Sequence, residues 1–166
     1  MAKIKQTPKD VSQAMKWMQN QSDTGSKAWG GLCLKSCRTA YGLQPIGSSA
    51  KELTIRMRSN GRMLHRIKNP MDEAEFEDIP RGGFLLSSGG TWGHAWLASK
   101  TTSWSVDYAG PHGTIKHAPR HLPKWSTIRK ATEFWVCGIV DNYGKDWWIK
   151  GIDCPFPKCA DLGRHE

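Results

Sequence analysis

The chain has 166 residues, 38% of them hydrophobic, with nine tryptophans and a formal net charge of +9. So many bulky aromatics exclude a disordered chain, and the length suits one domain better than two. The positive charge favours an anionic partner such as nucleic acid, an acidic membrane or a polyanionic cell wall, without choosing among them.

The opening stretch "MAKIKQTPKDVSQAMKW" has no apolar run of signal-peptide length, and nothing later approaches a membrane span. Synthesis in the cytoplasm is expected, with release or export needed for any role at a cell wall. Thr7 and Pro8 suit a helix opening, and Val11, Met15 and Met18 supply its apolar stripe, ending near Asn20. "QSDTGSK" reads as a loop. A second helix is expected from about Cys33 to Tyr41, closed by Gly42, with Cys33, Cys37 and Ala40 on one face. A third begins within "IGSSAKEL" and carries Leu53, Ile55 and Met57.

The basic stretch "KELTIRMRSNGRMLHRIK" precedes the acidic "MDEAEFEDIP". It reads as a solvated helix with an acidic loop folded back on it, or else as a binding face. Beyond Pro80, short apolar runs are separated by turn residues: "GGFLLSS", "GHAWLAS", "SWSVDYA", "FWVCGIV" and "DWWIKGI", with "VDNYGK" a tight turn. Helices first and strands afterwards predict an α+β domain, its N-terminal helices packed on an antiparallel sheet. The domain is expected over residues 1–153, with 154–166 a tail.

Candidate chemistry begins at "AWGGLCLKSCRTAYG". A cysteine at a helix N-terminus gains thiolate stability from unpaired N–H groups and the helix dipole, which would lower the Cys33 pKa. Gly30 and Gly31 suit a close backbone approach at which N–H groups face a developing oxyanion. The competing reading is Cys33 as an inert core residue. Cys37, one turn on, is expected as buried packing, and C-x-x-x-C is not the spacing of a redox pair.

A nucleophilic thiol needs a base, and alternation in "TWGHAWLAS" puts Trp92, His94, Trp96 and Ala98 on one strand face, with His94 mid-strand. A hydrogen-bonded core histidine is the alternative. His65, His112, His117, His121 and His165 fall in loops, charged stretches or the tail. Asp107 or Ser105 in the next strand would orient the ring. If the intervening hairpin loop has an even number of residues, Asp107 shares the face of His94.

These segments together resemble the papain-like cysteine peptidases of the NlpC and CHAP kind, and especially the peptidase domains of actinobacterial phage endolysins. The resemblance rests on "WGGLCLKSCRTAYGL", "GSSA", "IPRGGF", "WGHAWLAS", "WSVDYAGPHGTIKHAP", "KW" and "FWVCGIV", in that order over roughly residues 9–143. It implies a papain-like α+β fold with Cys33 as nucleophile, His94 as base and Asp107 as third member. It further implies hydrolysis of amide bonds in peptidoglycan, as an endopeptidase or amidase, by a monomer needing no metal or organic cofactor. No tyrosine stands just before Cys33, where some relatives use one beside the oxyanion, leaving Trp29 or backbone donors.

Outside the resemblance, Cys137, Cys154, Cys159 and His165 form a possible Cys3His zinc set, with unpaired thiols the alternative. Two other functions compete with a hydrolase. One is a basic nucleic-acid-binding protein using Arg56 to Lys68, although no nucleic-acid motif is recognised. The other is a catalytically inactive wall-binding or virion protein on the same fold.

Overall fold

The computed structural model describes residues 8–44, 49–60, 65–136, 138–140 and 146–153. Helix α1 spans Val11–Thr24, α2 Cys33–Ala40 and α3 Ala50–Asn60; after strand β1, His65–Arg66, comes α4, Glu73–Glu77. Then follow β2, Phe84–Ser87; β3, His94–Ala98; β4, Ser103–Val106; β5, Ile115–Ala118; α5, Ser126–Lys130; β6, Thr132–Val136; β7, Gly138–Val140; and β8, Asp146–Trp148. A six-stranded antiparallel sheet has the order β1-β6-β2-β3-β4-β5, and β7 and β8 form a separate pair. The α+β expectation of helices on an antiparallel sheet is met. Among the described residues no helix is long and apolar enough to cross a membrane.

Local chemistry sets the helix ends. Helix α1 starts later than Thr7-Pro8 suggested, because Asp10 and Gln13 form a reciprocal capping box. It also runs past Asn20 to Thr24, where Gly25 adopts φ 66° and ends it. Helix α2 begins at Cys33 as expected. In α3, Leu53 and Met57 are buried at i, i+4, whereas Ile55, half a turn away, is 43% exposed. The acidic stretch expected as a loop holds α4, because Asp72 caps it by accepting from the Ala74 amide. Strand β5, with His117 in it, lies in a stretch to which no strand was assigned. The predicted turn "VDNYGK" and the tail lie mostly or wholly outside the described residues.

One face of the sheet carries Phe84, Leu86, Ala95, Leu97, Trp104 and Val106, all buried. Helix α2 packs on β3 and α3 on β2. The other face carries Leu85, His94, Trp96 and Ser105, and the chain from 119 to 131 covers it: the Trp96 indole N–H donates to the Arg120 carbonyl, and Ser87 Oγ donates to that of Ile128. Both faces of β2, β3 and β4 are therefore buried, which is why β2 and β3 are mostly apolar and the two serines of β4 are hydrogen-bonded.

Arg120 joins several of these parts. Its buried guanidinium donates to the carbonyls of Phe76, Glu77, Ile79, Ser99, Lys100 and Thr102. It thereby ties the end of α4 to the β3–β4 hairpin, supplying donors that neither segment has of its own.

Candidate active site

Cys33 is the first residue of α2, whose N-cap, Leu32, offers no side-chain hydrogen bond, so first-turn N–H groups remain to be satisfied. Those of Leu34 and of Cys33 favour a negative charge on the sulfur. A third N–H comes from the sheet. The Ala98 amide donates toward β2, to the Gly83 carbonyl, so alternation along β3 sends the amides of Leu97 and Ala95 toward β4. Pairing of β3 with β4 is confined to Leu97↔Trp104 and Ala98↔Ser103. Beyond that point the strands part, and the Ala95 N–H is near enough to the Cys33 sulfur to favour its thiolate. The thiol thus lies against the residue that follows His94.

His94 is the first residue of β3 rather than a mid-strand one, because Gly93 at φ 71° turns the chain immediately before it. That glycine is required sterically as well, since a Cβ there would run into the Ser87 carbonyl and the Lys51 amide. The imidazole is 6% exposed, with the Trp125 ring edge-on at 4.9 Å and Trp96 at 5.4 Å. Its Nε2 lies 2.7 Å from Ser105 Oγ. Ser105 leaves Nδ1 as the nitrogen available to a reacting group.

Among the described residues the hydrogen bond to the ring comes from Ser105 and not from Asp107. The hairpin loop, 99–102, is even, so strand parity does put positions 105 and 107 on the face of His94. But β4 ends at Val106, and Asp107 takes φ 63°, a left-handed conformation that takes it out of the strand. The carboxylate accepts from the Gly31 and Gly113 amides and lies 3.1 Å from His112 Nδ1. Asp107 is therefore a tether between the turn before Cys33 and the β4–β5 turn, and Ser105 holds the position expected for it beside the ring.

This tether also corrects the expected oxyanion donors. The Gly31 N–H is occupied by Asp107, the Leu32 N–H by the Trp29 carbonyl, and the Trp29 indole by Gln21 Oε1. Trp29 packs edge-on against Trp17 at 5.2 Å. The N–H of Cys33 itself is the donor this turn offers next to the sulfur.

Burial pushes the Cys33 thiol above its ordinary value; the N–H groups of Ala95, Leu34 and Cys33 oppose that, and the Asp107 charge adds to it. The depressed thiol expected from the helix terminus alone is not found, because desolvation outweighs the dipoles. Burial likewise pushes His94 from 6.5 to about 4, with Asp107 acting weakly in the other direction. Both groups are therefore neutral at rest. Cys37 is 1% exposed and its thiol is raised further by burial, in keeping with a packing role.

Among the described residues no group of three or more histidine, cysteine or acidic side chains is placed to hold a metal ion. Cys137, Cys154, Cys159 and His165 lie outside the described residues. No family model matches the chain, and neither a curated protein nor a solved structure matches it.

Proposed function

We propose that the protein is a papain-like cysteine hydrolase that cleaves amide bonds in peptidoglycan, with Cys33 as nucleophile, His94 as base and Ser105 as the group that orients the base. One observation carries this reading: Cys33 opens a helix near the Ala95 N–H, which favours its thiolate, and Ala95 directly follows a buried His94 whose Nε2 lies 2.7 Å from the Ser105 hydroxyl.

With Nε2–H donating to Ser105 Oγ, Nδ1 keeps its lone pair. Nδ1 takes the thiol proton as Sγ attacks the amide carbonyl carbon, and the N–H of Cys33 donates to the oxyanion. The proton then passes from Nδ1 to the leaving nitrogen as the C–N bond breaks, leaving a thioester. Water adds with its proton taken by Nδ1, the C–S bond breaks, and the proton returns to sulfur. Because both partners start neutral, His94 acts as a general base and the thiolate forms during attack, rather than being stored as an ion pair.

Peptidoglycan as substrate rests on the resemblance of the segments around Cys33 and His94, with the charge of +9 suited to an anionic wall. The test is release of free amino groups from purified walls, by wild type, Cys33→Ala and His94→Ala, alongside DNA retention by the same proteins. Digestion is expected to vanish in Cys33→Ala and to fall by about 10²- to 10⁴-fold in His94→Ala. Digestion unchanged in Cys33→Ala, or its absence in wild type beside DNA retention that survives the substitution, would overturn the proposal.

A further inference from the structure

At the other end of β3 from His94 lies an open groove of 390 Å³ that the chemistry above does not use. One wall is α1, which presents Ser12, Lys16 and Gln19 at i, i+4 and i+7, all exposed. The facing wall is the β3–β4 hairpin loop with Lys100 and Thr101, and Arg81 borders the groove from the turn before β2. Among the described residues no acidic side chain lines it, and Lys16, Arg81 and Lys100 enter no ion pair.

Its floor is a built polar network. Trp104 and His117 are cross-strand partners on β4 and β5, stacked at 3.8 Å. His117 Nδ1 is 2.9 Å from Thr102 Oγ1, which is 2.8 Å from Ser99 Oγ. With Ser99 donating to Thr102 and Thr102 to Nδ1, the ring proton sits on Nε2, making His117 a donor.

We propose that this groove binds a phosphate-bearing polyol chain, with phosphate oxygens between Lys16, Arg81 and Lys100 and polyol hydroxyls against Ser12, Gln19 and Thr101. Three separated cations match an anion with several acceptor oxygens better than a two-oxygen carboxylate. The volume exceeds what a lone phosphate fills, and the Ser12 and Thr101 hydroxyls and the Gln19 amide beside the apolar Met15 suit a ligand that carries both hydroxyls and C–H surface. Nucleic acid fits less well, because the Trp104 indole is 3% exposed and only the small His117 ring over it offers a face to a base.

The test is calorimetric titration of the full chain with poly(glycerol phosphate), with uncharged polyglycerol, and with a single-stranded oligonucleotide of equal phosphate count. Wild type is expected to bind poly(glycerol phosphate) more tightly than the other two. The exposed pair Lys16→Glu/Lys100→Glu should weaken that binding by about tenfold or more. Lys35→Glu/Lys130→Glu, the same charge change outside the groove, should leave it near wild type. Arg81→Gln, a milder change, should weaken it about threefold and serves if the double variant misfolds. Failure of wild type to bind, equal loss in the two double variants, or a preference for the oligonucleotide would each overturn the proposal. None of these readings depends on Cys33 or His94.

Discussion

At its C-terminal end β3 enters a four-residue hairpin loop, 99–102, from which three carbonyls converge on Arg120; at its N-terminal end, at Ala95, it has already parted from β4. The closed end satisfies its polar groups with one buried cation drawn from outside the sheet. The open end leaves the Ala95 amide without a strand partner, close enough to the Cys33 thiol to favour its ionised form. The proposed reacting pair thus lies where the ladder stops, and a guanidinium satisfies the carbonyls at the end where it closes.

The comparison breaks first at Arg120. Arg120→Met is expected to orphan buried carbonyls of α4 and the hairpin and to lower unfolding stability by about 4 kcal/mol, read as a drop in urea midpoint. A change under about 1 kcal/mol would mean that these carbonyls find other donors.

Next comes acid. Above pH 6.5 His94 is neutral whether the chain is folded or not, and contributes nothing to the pH dependence. As pH falls, the unfolded chain takes up the proton first, so stability drops between pH 6.5 and about 4 and then levels off. The expected contribution is about 3 kcal/mol. Unfolding free energies from urea titrations at pH 7 and pH 4 should differ by that much more in wild type than in His94→Gln.

The smaller effects separate Asp107 from Ser105. Asp107→Ala removes an anionic acceptor from two backbone amides and should cost about 2 kcal/mol, whereas Ser105→Ala removes one neutral hydrogen bond and should cost about 1 kcal/mol. The ring reports the opposite order: Ser105→Ala should move the His94 imidazole nitrogen resonances, and Asp107→Asn should leave the tautomer unchanged. A tautomer change in the aspartate variant alone would restore Asp107 as the orienting group.

Much of this open end was legible in the chain. The glycine pair before Cys33, the helix after it closed by Gly42, and the period-two pattern through His94 are local signals with local causes. The choice between Ser105 and Asp107 was not, since both lie at the same parity. It is decided by one backbone dihedral at Asp107, set by amides 76 residues upstream, at Gly31, and 6 downstream, at Gly113. The thiol's raised pKa was equally hidden, because burial by a distant strand outweighs a helix terminus that the sequence displays. The closed end gave no sign at all: "APRHLP" carries nothing to mark Arg120 as a buried donor to carbonyls more than 40 residues away.

The most direct test of Cys33 and His94 as one reacting pair is mass-mapped alkylation with iodoacetamide, followed as a rate at pH 7 in wild type and His94→Ala. Labelling of Cys33 ahead of the buried Cys37, slowed when the imidazole is removed, is the expected result. A Cys33 rate that is the same with and without the imidazole would contradict the pairing.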